Sequence, residues 1–96
     1  MTSIIEQLPS EDLDYIIDWT ARGLGTDTIA TSAFDKSSDD FDITSPSIIA
    51  TNTKTQFWVS GGVPGTTYYI TNTIVTVGGR TMVETIPFLC ISQRII

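Results

Sequence analysis

Histidine is absent from the 96 residues, which removes the Ser-His-Asp and Cys-His nucleophile systems and every His-ligated metal centre. Cysteine occurs once, as Cys90, so neither an internal disulfide nor a thiolate zinc site can form, and the chain is expected to be made in a reducing cytoplasm. Cys90 falls on the apolar side of a strand and reads as a small core residue rather than a reactive thiol. Positive charge is scarce, with five Lys and Arg against eleven acids and a net charge of −6. Ten of the eleven acids precede residue 43, leaving Glu84 alone in the second half. A phosphate-backbone binder needs clustered Lys and Arg, so nucleic acid is not expected as a partner. The acidic half reads as a solvated face, or as the complement of a basic protein. No apolar run approaches the ~20 residues of a membrane span, so no membrane association is expected. Residues 1–10 also lack the basic start and apolar stretch of a secretory signal.

The hydrophobic fraction of 41% is that of a folded protein. The length corresponds to one domain with a modest core, burying about 60–65% of its unfolded surface.

The stretch from Lys54 to Ile91 organises the chain and reads as three consecutive antiparallel strands. The first, Thr55 to Val59, is β-branched and aromatic and carries Trp58. Ser60-Gly61-Gly62 ends it, and Pro64-Gly65 begins a turn. Tyr68, Ile70, Asn72 and Ile74 then share one face of the second strand, because side chains alternate. Gly78-Gly79 marks a hairpin tip. A two-residue loop there would mix both faces. A three-residue loop pairs Ile74 with Met82, Ile70 with Ile86 and Tyr68 with Phe88, giving one greasy face and one threonine-rich face. The expected hairpin therefore has three loop residues and a left-handed glycine. Pro64 to Tyr68, with Ile70 two residues on, fits the tyrosine corner of immunoglobulin-like sandwiches, in preference to an ordinary core tyrosine.

Upstream, residues 1–12 read as a polar terminal arm interrupted by Pro9, followed by a sandwich domain over 13–96. Leu13 to Trp19 suits a strand, with Leu13, Tyr15, Ile17 and Trp19 on one face. A helix capped by Ser10 is the alternative. Thr28 to Phe34 is the next strand. Phe41 to Thr53 supplies one or two more, with Ser45-Pro46 as a turn and Ile48-Ile49 in the core. Six or seven short strands punctuated by turns, without internal repeats, mean an all-β sandwich of the immunoglobulin or fibronectin-III type. Its structural positions are Tyr68, Gly65, Gly78, Gly79, Trp58, Ile70, Ile86 and Phe88.

Gly23-Leu24-Gly25 lacks the lysine of a phosphate loop. Asp35, Asp39, Asp40 and Asp42 lack the Asp-x-Asp-x-Asp-Gly pattern with a closing Glu of a calcium loop. No catalytic residue, metal ligand or cofactor site is expected.

Two segments resemble a known family. LDYIIDWTARGLGTDTIATSAF and FWVSGGVPGTTYYITNTIVTVGGRTMVETI are similar to small immunoglobulin-like proteins of tailed bacteriophages, with their LDYxxDW opening and WLSGGTAGTTYTVTNTITTAGGRT-type hairpin. Phe34 and Thr26 depart from the Trp and Gly frequent there, and residues 35–47 match poorly. The resemblance implies a virion structural protein assembled in the host cytoplasm that binds other virion proteins, with self-association left open. A head decoration (cement) protein is the first expectation and a head–tail or tail adaptor the second. A host-surface or glycan-binding module, with Trp58 and Tyr69 as the candidate aromatics for glycan, is the reading from a different class. Ile4, Ile5 and Leu8 at one end, and Arg94, Ile95 and Ile96 at the other, are greasy for free ends and are the expected partner-binding residues. The competing expectation is that both ends fold back over their own core.

Overall fold

The computed structural model describes residues 4–94. Seven strands run in the order β1 (Ile5–Gln7), β2 (Asp12–Asp18), β3 (Ile29–Lys36), β4 (Phe41–Ile49), β5 (Lys54–Gly61), β6 (Thr67–Thr76) and β7 (Thr81–Cys90), with a 3-10 turn, Thr20–Arg22, after β2. They form two sheets, β1-β7-β6-β3 and β2-β5-β4. Setting β2, β5 and β4 against β3, β6 and β7 reproduces the B-E-D and C-F-G sheets of an immunoglobulin sandwich, with β1 added beside the last strand.

The C-terminal hairpin follows from its glycines. Ile74 faces Met82, Ile70 faces Ile86 and Tyr68 faces Phe88. The Thr76 N–H donates to the Arg80 carbonyl at 2.8 Å, closing a three-residue loop in which Gly79 is left-handed. Tyr68, Ile70, Ile74, Ile86 and Phe88 are accordingly buried. Phe41, Tyr68 and Phe88 stack in one aromatic group, with ring centroids 4.9–5.6 Å apart. Tyr15, Phe57 and Phe34 form a second group further along the core.

Four expectations need correction. Lys54 to Ile91 is not a continuous three-stranded meander, because β5 pairs with β2 and β4 while only β6 and β7 pair with each other. Gly61, Gly62 and Gly65, all at positive φ, carry the chain from one sheet to the other. A turn signal between two strands does not say whether the next strand returns beside the last or crosses the core.

Ser45-Pro46 is not a turn between strands. Ser45 has φ 49, and the register with β5 shifts between Thr44 and Ser47, so β4 is one strand with a bulge that absorbs the proline. Ile48 and Ile49 are half-buried at its end.

Within the expected arm, residues 5–7 and 12 belong to the sheets. Ile5, Glu6 and Gln7 pair in parallel with Phe88, Leu89 and Cys90, and Asp12 already belongs to β2. Finally, Leu13 does not join Ile17 and Trp19 in the core but sits at the exposed rim.

Tyr68 sits at the crossing from β5 to β6. Its hydroxyl accepts the Val63 N–H at 2.9 Å and donates to Asp40 Oδ2 at 3.0 Å, which is the geometry of a tyrosine corner. Tyr68→Phe is expected to cost about 1.5 kcal/mol through loss of these bonds. In urea the midpoint should fall with an unchanged m-value.

Candidate functional site

Among the described residues no three or more His, Cys, Asp or Glu are grouped to hold a metal ion. Two of the four acids between Asp35 and Asp42 are engaged in bonds within the domain. Asp40 receives Tyr68, and Asp42 pairs with Lys36 Nζ at 3.3 Å. Cys90 is buried, which raises its thiol pKa. The surfaces that remain for function are the two outer sheet faces and the braced ends.

On the outer face of β2-β5-β4, cross-strand pairing sets Trp58 between Asp14 and Thr44, while Ser60 lies between Asp12 and Asp42. Trp58 is 37% exposed, and Gln56 Nε2 donates to Asp14 Oδ2 at 2.8 Å. The sequence placed Trp58 among structural residues; it stands instead on an acidic outer face. The middle of the larger sheet's outer face is uncharged, built from the pairs Thr71/Thr85, Thr73/Val83, Val75/Thr81 and Tyr69/Pro87, with Asp35 beside Thr71 and Glu6 beside Leu89 at its margins. Tyr69, 49% exposed, is thus on the opposite side of the domain from Trp58, and the two rings cannot share one ligand.

The two ends come together. Ile5 is buried while Ile4 is exposed. Gln7, fully buried, donates through Nε2 to the Val59 carbonyl at 2.6 Å and to the Glu11 carbonyl at 3.0 Å, and accepts the Tyr15 hydroxyl at 2.7 Å. Leu8 is half-buried, and its N–H donates to Glu11 Oε1. Arg94 Nη1 pairs with Glu11 Oε2 at 2.7 Å. The Arg94 side chain and the Leu8 N–H hold the Glu11 carboxyl below its usual pKa. Ile5, Leu8 and Arg94 are therefore engaged with this domain itself. Ile95 and Ile96 lie outside the described residues.

At the other end, Arg80 Nη2 donates to the Leu24 carbonyl at 2.6 Å, Arg80 Nε pairs with Asp27 Oδ2 at 3.3 Å, and the Gly78 N–H donates to Asp27 Oδ1 at 3.0 Å. A Cβ on Gly78 would come within 2.7 Å of Asp27 Oδ2, so a larger residue there would have to displace the Asp27 carboxylate from its bonds. The Thr76 hydroxyl, followed by the N–H groups of Thr28 and Gly78 and the Arg80 side chain, lowers the Asp27 pKa from 3.8 to about 2. A carboxylate depressed in the folded state stabilises above its unfolded pKa and loses that contribution as pH falls through its folded pKa. Asp27→Asn is thus expected to melt lower than the parent at pH 7. The two melts should converge as pH falls from about 4 to about 2. Parallel melting curves at all pH values would contradict this.

Reasoning from the sequence missed the buried polar groups. Trp19 Nε1 donates to Thr55 Oγ1 at 3.1 Å, and that hydroxyl donates to Asn72 Oδ1 at 2.7 Å. Asn72 Nδ2 in turn donates to Ser32 Oγ at 2.8 Å and the Ala33 carbonyl at 3.0 Å. This chain of bonds ties the two sheets together through the core. Its signal was legible: Asn72 falls on the same strand face as Ile70 and Ile74.

Residues 7–88, from the last residue of β1 to near the end of β7, match the family described as podophage GP4 fiber-tail adaptor protein gp77. The chain belongs to that family. No curated protein matches it. Membership of the gp77 family makes it a phage virion structural protein, and it favours the tail-adaptor expectation over the head decoration protein. The match leaves out residues 1–6 and 89–96, which include Ile4, Ile5 and Arg94.

Proposed function

We propose that this chain is a non-enzymatic virion adaptor that joins a tail fibre to the tail. The observation that carries the reading is the gp77 family match over residues 7–88. The surfaces support it. One outer face is acidic around Trp58 and the other is rich in Thr and Val, with acids only at its margins, Asp35 and Glu6, as suits a part held between two different partners. A glycan module gains no support, since Trp58 and Tyr69 belong to opposite faces. The test is genetic. Virions lacking this chain are expected to have filled heads and tails but no fibres, with fibres restored by the purified protein. Normal fibre numbers without it would overturn the adaptor reading.

A further inference from the structure

Strand edges invite pairing with other chains, and folded proteins blunt them with charge, proline or bulges. Three edges here are treated in that way. Strand β2 carries Asp12, Asp14 and Asp18, β3 shifts register between Ile29 and Thr31, and β4 bulges at Ser45-Pro46. The fourth edge has one inward charge, Glu84, which pairs with Arg22 at 3.4 Å, and its outward backbone groups are left open over a longer run. The short strand β1 covers β7 only over Phe88 to Cys90.

The direction of the exposed groups follows from the hairpin bonds. Thr76 bonds Arg80, and Cys90 bonds Thr66, so the even-numbered residues of β7 turn their backbone groups toward β6. Odd-numbered residues turn theirs the other way, as the Ile91 N–H reaching the Gln7 carbonyl confirms. The N–H and C=O groups of Thr81, Val83 and Thr85 therefore point away from β6 and meet no backbone partner among the described residues. Pro87 occupies the next outward position, where its missing N–H breaks no ladder bond.

Beside this edge, between the two sheets, lies a cleft of about 130 Å³ lined by Ile5, Tyr15, Ile16, Ile17, Arg22 and Ile86. Ile16, at its mouth, is 54% exposed, and Val83, on the outer face of the open stretch, is 57% exposed. The uncovered run is bounded by β1 at one end and by the Arg80 contacts with Gly23 and Leu24 at the other. It has the length of one short strand.

We infer that the Thr81–Thr85 edge accepts an extended segment of another virion protein, which continues the line of β1 along β7 and seats one aliphatic side chain in the cleft. Backbone bonds to Thr81, Val83 and Thr85 supply affinity, and the cleft, walled by Ile5, Ile16, Ile17 and Ile86 with the Arg22–Glu84 ion pair at its side, selects the residue that enters. Val83 and Thr81 line the outer side of the added strand with neutral surface, so an uncharged β-branched segment fits best. This deepens the adaptor reading by naming the element that one of its partners contributes.

The test uses virions from which this chain is genetically absent, to which the purified full-length protein is added back. Val83→Pro removes one outward N–H and leaves the β6 ladder intact, as Pro87 already does at the equivalent position. Ile16→Glu puts a charge at the cleft mouth. Each variant should melt within a few degrees of the parent and bind the particles about tenfold more weakly or worse, as expected for one lost hydrogen bond or one buried charge. Amide exchange in the isolated chain gives a check that needs no variant: Val83 and Thr85 should exchange fast while Ile74 and Ile86 are protected. Folded variants that bind like the parent would overturn the inference and leave the adaptor reading standing. Slow exchange at Val83 and Thr85 in the isolated chain would mean that the edge is already covered, and would also overturn it. Self-association of the parent abolished by Val83→Pro would assign the edge to a second copy, against the partner named here. If the parent itself failed to bind the particles, the adaptor reading would fall first.

Discussion

Asn72→Ala is expected to destabilise the domain by about 3 kcal/mol, because it leaves the Thr55 hydroxyl, the Ser32 hydroxyl and the Ala33 carbonyl short of partners in the interior. For a domain of this size the melting temperature should fall by about 15 °C. The alternative view is that the bonds are incidental and that Asn72 merely fills space. A double-mutant cycle separates the two. Thr55→Val alone strands both the Trp19 indole N–H and the Asn72 carbonyl oxygen. Combining it with Asn72→Leu removes both polar members together, and the pair should cost well under the sum of the single changes. Strict additivity would mean that the groups are not coupled. An immunoglobulin domain commonly ties its sheets across the core with a disulfide; with Cys90 as the only cysteine, hydrogen bonds make the link here.

Deleting residues 1–8 is expected to cost about 4 kcal/mol. Roughly half comes from the lost burial of Ile5. The rest comes from the Val59 carbonyl and the Tyr15 hydroxyl, which lose their buried partner when Gln7 is removed. Urea titration of the truncated protein should show a lower midpoint, and Gln7→Ala alone should account for about 1–2 kcal/mol of the loss. If the truncated protein melted like the parent, β1 would be only loosely laid on β7 and the segment would again be free to reach a neighbour.

These two predictions mark where the sequence was readable and where it was not. The hairpin of β6 and β7 could be read to the exact register, because a one-residue slip would have turned Ile70, Ile74 and Ile86 out into water. Tyr68 announced its corner through Pro64-Gly65. Which strand pairs with which was less legible. The turn at Ser60-Gly65 looks the same whether β5 pairs with β6 or passes to the other sheet, and only the assembled core selects the crossing. The N-terminal segment was misread for a compositional reason: Glu6, Gln7 and Glu11 are polar, and polarity at a terminus resembles a solvated arm. Gln7 is polar and fully buried because its amide meets two carbonyls and a hydroxyl, a set that exists only once β1, β2 and β5 are in place. The outer faces were partly legible. Alternation put Thr71, Thr73 and Val75 outside, and the run of acids before residue 43 foreshadowed the face around Trp58. How much of β7 is covered by β1, Phe88 to Cys90 among the described residues, is encoded by no local pattern.

The adaptor reading makes one direct demand on the whole particle. A density map of the intact virion should place this two-sheet domain where a fibre meets the tail, in a ring of about six or twelve copies set by closed symmetry. Hundreds of copies spread over the capsid surface, with none at the fibre base, would contradict it.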